Sequence, residues 1–600
     1  MKKSNKGISH SIVSPMAAAV VSVAVKSGQD VEQGEIIATI ESMKMQTAIE
    51  TPVSGNIIDV NVIVGETIQS DHEICRIEES IGSSPALKKT QSKAVDTRNP
   101  LDTLNQELQS SLDSGRTKAV SKRHAKGYRT ARENLHQLCD DGSFVEYGQL
   151  AVAAQRDRMT AEKLKSDTAA DGVITGLATI NRDQFGEHAT QVAVVINDYT
   201  VLAGTQGYFH HRKIDRILDQ AKRSFLPVVM YTEGGGGRPG DTDVKIQIAG
   251  LDVPTFATWA SLSGQVPMIA VNNGYCFAGN AALFGCGDIR IATKSSWIGM
   301  AGPAMIEGGG LGSFSPTDIG PIKIQAENGV VDLVADDESH ATELAKQCLS
   351  YFQGDNEDWQ CTDQLVLRDM MPADRRYVYD VRSIITSLVD TESFIELTKD
   401  YGCAVITGFA RIEGRAIGLI ANDCRILGGA VDAEAAEKTA RFITLCDNFD
   451  IPILSLCDSP GFMVGPASEE QAAVRRMAQL FVAGAKLSTP LVTIFLRRGY
   501  GLGAMAMAGG SFHKPIYSAS WPSGEFGGMG LEGAVRLGFK KELEAVADKE
   551  EREALFAQLL EQMYEQGKAT EAASHLEIDA VIDPADTRGV IVRAFDSRLN

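Results

Sequence analysis

One lysine and four glycine clusters carry the residue types that could do chemistry in this chain. Lys44 lies between Met43 and Met45, in Glu41-Ser42-Met43-Lys44-Met45, where a hairpin must reverse. A lysine at such a tip projects a primary amine into water, open to modification. An exposed lysine is by itself a solvated charge; two methionines at the midpoint of a symmetric segment set this one apart. The glycine clusters are Glu233-Gly234-Gly235-Gly236-Gly237-Arg238, Gly274-Tyr275-Cys276-Phe277-Ala278-Gly279, Asp458-Ser459-Pro460-Gly461-Phe462 and Gly499-Tyr500-Gly501-Leu502-Gly503-Ala504. Each follows a strand-like run. Glycines there let backbone N–H groups face a ligand, and a helix N-terminus adds positive potential, which is how an oxyanion hole is built. Tight turns and close packing explain any single cluster; four at duplicated positions weigh towards anion stabilisation.

Other chemistries are excluded. No G-x-x-x-x-G-K-[ST] or G-x-S-x-G pattern occurs, and the literal G-x-G-x-x-G of Gly235 to Gly240 contains Pro239. Asp198, Asp423, Glu233 and Asp458 are available carboxylates, for which buried structural roles at repeat-equivalent positions suffice. The ten cysteines are scattered without a C-x-x-C pair, so no metal is expected and a reducing cytoplasm is the natural compartment. A net charge of −20, from 58 basic and 78 acidic residues, argues against a nucleic-acid partner. No run reaches the ~18 apolar residues of a membrane span. The stretch Met16 to Val25 after Lys2, Lys3 and Lys6 superficially resembles a signal peptide, but it contains Ser22 and fits better as a strand.

These residues need several positioning domains, since 600 residues exceed what one core of about 250–300 residues can organise. Residues 10–78 hold a 37-residue repeat that pairs Pro15 with Pro52, Gly28 with Gly65, Val31 with Ile68, Ile37 with Ile74 and Ile40 with Ile77. Two copies of a four-strand unit imply a flattened, pseudo-twofold barrel with Lys44 between the copies. Residues 79–120 are poor in large apolar groups and read as a flexible linker with one short helix over 101–112. The basic run Lys118, Lys122, Arg123, His124, Lys126, Arg129 and Arg132 is either a solvated helix face or a site for an anionic phosphate. Beyond it the chain repeats at 225 residues: Asn197 with Asn422, Pro227 with Pro452, Gly274-Tyr275 with Gly499-Tyr500, and Trp297 echoed by Trp521 one residue out of step. Ser143-Phe144 matches Ser393-Phe394 at a different offset of 250. Alternating strand and helix patterns make each half, 121–360 and 361–600, a layered α/β domain.

Residues 10–78 resemble the biotinyl (biotin carboxyl carrier) domain, whose attachment site reads Met-Lys-Met, as Met43-Lys44-Met45 does. From residue 121 onward the chain resembles the carboxyltransferase subunit of biotin-dependent acyl-CoA carboxylases, a tandem pair of crotonase-like domains. The residues that carry this are Thr130-Ala131-Arg132-Glu133, Gly142 to Glu146, the cluster at 234–238, Asp458 to Phe462 and Arg498-Gly499-Tyr500-Gly501. The expected fold is thus a small all-β barrel followed by two crotonase-like α/β domains. The resemblance implies biotin covalently held on Lys44 and a coenzyme A thioester as substrate. It implies transfer of carbon dioxide from carboxylated biotin to the α-carbon of the acyl-CoA, the biotin ring nitrogen acting as base. On this view the amides of Gly235 and Gly236 hold the thioester enolate, and those of Leu502 and Gly503 hold the biotin oxygen. Gly461, Phe462, Tyr500 and Gly501 would contact the cofactor, and Phe277, Ala278, Gly279 and Arg238 the substrate. Backbone donors would tolerate alanine at these glycines but not proline. A decarboxylase or transcarboxylase runs the same half-reaction in reverse.

Two departures touch the acyl pocket. The family often has Ser-Gly-Gly-Ala-Arg where this chain has Gly234 to Arg238, and Gly-Gly-Ala-Tyr-Asp where it has Gly501 to Met505. No stretch reads as a biotin carboxylase. The implied partners are a separate biotin carboxylase subunit, a biotin protein ligase and further copies of the chain.

Overall fold

The computed structural model describes residues 8–80, 99–244 and 250–597. The chain divides into two units, Met1–Thr97 and Arg98–Asn600. In the first, two four-stranded antiparallel sheets enclose one apolar core. The 37-residue repeat maps strand onto strand: Ala18–Val23 onto Gly55–Val60, and Ile36–Ser42 onto Glu73–Glu79. The Gly28 N–H donates to the Ile57 carbonyl and the Gly65 N–H to the Val20 carbonyl, so each copy closes the other's turn. Both glycines need φ near +85° to +89°, which disfavours L side chains.

The second unit contains two sheets of one design. In the first, Val145–Tyr147 and Val173–Thr179 form an antiparallel edge. Parallel strands Gln191–Asn197, Val228–Tyr231, Met268–Asn272, Ile289–Thr293 and Leu333–Ala335 follow in that order. In the second, Ile395–Leu397 and Val405–Ile412 precede Arg415–Asn422, Ile453–Ser459, Leu491–Tyr500, Tyr517–Ser520 and Ala580–Val581. The registers repeat as well: Ala193 faces Val228 in the first sheet, and Gly418 faces Ile453 in the second. Near-continuous Val, Ile and Leu in the central strands reflect burial on both faces by helices such as Tyr208–Ser224 and Ala433–Asn448. On these helices Lys213 and Lys438 are buried, their ammonium groups bonded to main-chain carbonyls of Ala170 and of Thr398 and Tyr401. Burial lowers both amines to about 8.

The segment expected as a linker, residues 79–120, contains its one expected helix. Residues 81–98 lie outside the described residues, but Pro100–Ser110 is a helix with Asn99 as its N-cap. Glu107 pairs with Lys165 at 2.5 Å. Arg116, itself buried, pairs with Asp198 at 2.6 Å. This segment is held by polar anchors rather than apolar mass.

The two halves are locked by Asp332, whose carboxylate accepts from Arg290 of the first half and Arg441 of the second, both at 3.0 Å. Burial would raise the Asp332 carboxyl, but the two guanidinium groups outweigh it and hold it below the usual carboxylate range. Its contribution is therefore complete above about pH 4 and lost as pH falls below that. Thermal unfolding followed from pH 6 to pH 2 will show a shallower acid limb for Asp332→Asn than for the parent chain. Among the described residues, no helix is long and apolar enough to cross a membrane.

Candidate functional site

In the first unit, strands Ile36–Ser42 and Met45–Glu50 pair to their ends, with Ser42 facing Met45. Only Met43 and Lys44 remain to turn the chain, and both adopt positive φ, 52° and 65°. That is a two-residue turn of the type that follows strand twist, here built without glycine. Met43 is 96% and Met45 73% exposed, and Lys44 is exposed between them. The amine is thus displayed on a tight tip, which suits covalent attachment of a group that must leave the module's surface.

The first pair of glycine clusters converges. Gly234 bridges to Cys276, and a Cβ on Gly236, at φ +90°, would come within 2.8 Å of the Ala278 Cβ. The two amides expected to hold a thioester are engaged, however. Gly235 N–H donates to the Ala203 carbonyl at 3.1 Å and Gly236 N–H to Asn280 Oδ1 at 2.9 Å. The oxyanion role expected for Gly235 and Gly236 is therefore corrected: both brace the loop. The amide without an acceptor among the described residues is that of Gly237. It lies beside the helix Gly279–Gly285, whose N-cap Ala278 makes no side-chain cap bond.

Arg238 is also reassigned. Its guanidinium is buried and pairs with Asp171 at 2.5 Å, donating also to the Thr205 carbonyl at 2.9 Å. It anchors the loop through these two partners. Phe277 is buried and stacks on Tyr275. Arg238→Met would leave the Asp171 carboxylate buried and unpaired, a change that typically costs about 3–5 kcal/mol. A large fall in thermal midpoint is the expected measurement.

The second pair repeats this plan 225 residues on. Gln206 bridges Gly237, and Val431 bridges Phe462. A Cβ on Gly204 would lie 2.5 Å from the Glu233 carbonyl oxygen, and one on Gly429 would lie 2.5 Å from that of Asp458. Pro460 takes the place of Gly235 and has no N–H to offer. Leu502, 61% exposed, and Gly503 occupy the uncapped first turn of helix Gly501–Met507. The Phe462 N–H, which has no acceptor among the described residues, lies against Gly503. The Gly461 N–H is engaged by Ser459 Oγ at 3.2 Å. Tyr500 is buried with its hydroxyl on Glu525 at 2.9 Å, so its side chain is not presented to a cofactor. Alanine is not neutral here either: its Cβ at position 503 would stand 2.7 Å from both the Gly461 Cα and the Phe462 nitrogen.

Separate cavities lie in the two halves. A cavity of about 770 Å³ in the first half is lined by Arg116, Lys118, Lys122, Lys126, Tyr128, Tyr199, Ala203 and Tyr275, among others. The basic run thus faces a cavity and not bulk solvent alone. A second, of about 360 Å³, is lined by Gly499, Gly501, Met505, Phe512, Phe526 and neighbours from the second half. Sequence reasoning missed the amides of Gly237 and Phe462 as open donors. The repeat itself held the signal, since a donor common to both halves cannot sit at a position where one half has proline.

Comparison with known proteins places this geometry. Residues 122–600 match the family described as carboxyl transferase domain, and residues 10–77 match that described as biotin-requiring enzyme. The chain belongs to the carboxyl transferase family. A single-chain, multi-domain long-chain acyl-CoA carboxylase is similar over 99% of this chain, with 49% identity and a TM-score of 0.80. This chain spans 56% of the length of that enzyme. The propionyl-CoA carboxylase beta chain of Saccharopolyspora erythraea is 32% identical over 507 residues, 81% of this chain and 90% of that one. The hexameric transcarboxylase 12S superposes with a TM-score of 0.73 at 30% identity, over 85% of this chain and 96% of its own. The carboxyl transferase domain is accordingly a tandem crotonase-like pair preceded by a biotinyl module.

Proposed function

We propose that this chain is the carboxyltransferase component of an acyl-CoA carboxylase, carries its own biotin on Lys44, and accepts acyl chains longer than propionyl. One observation carries the reading. A chain with a displayed lysine in a biotin-requiring module also has a lysine-lined cavity large enough for a nucleotide-like ligand, into which Glu233 and Tyr275 of the first pair of glycine clusters reach. Biotin, when bound, supplies the carboxyl group and a basic ring nitrogen. The protein then needs no acid–base side chain of its own at the reacting carbon. Lys118, Lys122 and Lys126 would hold phosphate at the cavity mouth. The amides of Gly237 and the first turn after Ala278 would stabilise the negative thioester oxygen, and those of Phe462, Leu502 and Gly503 the cofactor oxygen. Donors of this kind are worth about 2.7–4 kcal/mol each.

Chain length is argued from the second cavity. Met505 stands where the family often has aspartate, and Gly501, Gly527 and Gly528 leave width beside Phe512 and Phe526. An apolar tail would pack against Met505, Phe512 and Phe526, while Gln566, Glu571, His575 and Glu577 form the cavity's polar wall. The long-chain carboxylase likeness favours the same substrate class. Leu427, Met463, Val464 and Leu502 form an exposed apolar rim around the second glycine pair, which a further copy of the chain would cover by seating its first half there. Carboxylation of the tethered group is assigned to a separate biotin carboxylase, attachment to a biotin protein ligase, and the setting to the cytoplasm, where the ten free thiols persist.

The test supplies biotinylated protein with a biotin carboxylase, ATP, labelled bicarbonate and acyl-CoAs of graded length. Acid-stable label is expected chiefly on long chains, and Met505→Asp should move the preference towards short ones. Label confined to acetyl- or propionyl-CoA would refute the chain-length reading; no label on any thioester would refute the activity. The transcarboxylase likeness favours one further arm, in which label leaves a carboxylated thioester.

A further inference from the structure

The two halves hold their equivalent carboxylates differently. Asp458, at the root of the second glycine loop, is held by Arg497 and Arg498 at 2.8 Å, both from strand Leu491–Tyr500 of the same sheet. Glu233, 225 residues earlier, has no such arginines on its own sheet. Its partner is Arg123 of helix Thr117–His124, at the start of the first half, and Arg123 also lies 3.7 Å from Glu338. The pair is bidentate, Nη1 to Oε1 at 2.9 Å and Nη2 to Oε2 at 2.6 Å, with both side chains buried. Arg123 also donates from Nε to the Arg129 carbonyl at 2.8 Å, and its guanidinium lies 4.6 Å from the centroid of Tyr128.

This helix is the one whose Lys118 and Lys122 line the first cavity, and Arg123 and Glu233 line it too. Glu233 in turn adjoins Gly234, whose N–H donates to the Tyr275 carbonyl at 2.7 Å and whose carbonyl accepts from Phe277 N–H at 2.9 Å. The carboxylate thus stands at the start of the loop that ends in the open Gly237 amide. The pair is not embedded in a saturated core. Behind it lies a cavity of about 10 Å³ lined by Asn134, Asn197 and Asn273, whose side chains each leave a buried polar atom without a partner among the described residues. Burial raises the Glu233 carboxyl despite Arg123, whereas at Asp458 the two arginines outweigh burial and lower it. The first half thus holds its carboxylate through one arginine, which Glu338 also approaches at 3.7 Å, where the second half uses two.

We propose that Arg123 is a positioning residue: through Glu233 it couples occupancy of the phosphate end of the first cavity to the placement of the oxyanion donors after Gly234. The inference rests on acyl-CoA occupying that cavity, as proposed above. Binding energy from the remote phosphate is then spent at the reacting carbon, so a substrate that lacks it loses turnover as well as affinity. A clamp of purely structural value would not respond to the substrate's far end.

The test compares acyl-CoA with the same thioester lacking the ribose 3′-phosphate, using biotinylated full-length protein as parent, Arg123→Lys and Glu233→Gln. Lysine keeps the charge but loses the two-pronged geometry. In the parent, the truncated substrate should lower kcat by about tenfold and raise KM. In each variant kcat should be low with either substrate, and the ratio between the two should approach one while the KM difference persists. An unchanged kcat ratio in a folded variant overturns the proposal, as does a parent in which truncation alters KM alone. Failure of both variants to fold assigns the pair to stability and overturns it too. A parent that neither binds coenzyme A nor turns over its thioesters overturns the functional reading instead.

Discussion

Lys44→Arg abolishes both biotin incorporation and carbon dioxide transfer, while acyl-CoA affinity stays within about twofold. The guanidinium keeps the positive charge and reach of the side chain but offers no nucleophilic amine for amide formation. The turn conformation is unaffected, because Met43 and Lys44 hold positive φ through the pairing of Ser42 with Met45 rather than through any side-chain contact. Loss of the tether removes a reactant held at an effective concentration on the order of millimolar, so a fall of at least about 10³-fold in turnover is expected. Streptavidin blotting and label transfer report the two losses separately. Full transfer by an unbiotinylated Lys44→Arg chain would remove this lysine from the mechanism.

Gly503→Ala is the second large effect, and it reverses what the backbone argument alone expects. A main-chain donor survives an alanine in principle. Here the new Cβ would stand 2.7 Å from the Gly461 Cα and from the Phe462 nitrogen, a distance that such contacts do not tolerate. Either the helix start or the loop must retreat, which displaces the Phe462 amide from those of Leu502 and Gly503, the three proposed to act together. Loss of a single oxyanion donor costs about 10²–10³ in kcat, and a comparable fall is expected. Gly538→Ala serves as the control, since nothing lies within 4 Å of its added Cβ. Steady-state turnover at saturating substrate, with circular dichroism confirming the fold, reads the difference. Parent-like kcat in folded Gly503→Ala would show that these amides do not act together.

Both repeats were legible because backbone sterics write them into the sequence. Gly28 and Gly65 must be glycine to close each other's turns, and Gly204 and Gly429 must be glycine because carbonyls press on them. Lys44 was legible because a two-residue reversal leaves few places to put it. The direction of each amide was not. Gly235 and Gly236 are silenced by Ala203 and by Asn280, partners that only the folded sheet brings to the loop. Arg238 read as a substrate ligand because its true partner, Asp171, lies 67 residues away. Trp297 and Trp521 proved unrelated. Trp297 pairs with Tyr275, a place that Gly527 takes beside Tyr500 in the second half, whereas Trp521 is fully buried and bonded to Thr587. How the segment after residue 99 is held was not legible, because Arg116 and Arg123 fasten it through buried charge, a form of attachment that hydrophobic content does not register.

The tight reversal that carries Lys44 has a mechanical consequence. With the ladder closed at Ser42 and Met45, no slack loop exists at the tip, so the hairpin cannot lengthen to probe for a target. It acts as a stiff pointer. The cargo's local freedom reduces to rotations about the lysine side chain and the group it bears, and every larger excursion must be made by the barrel travelling whole.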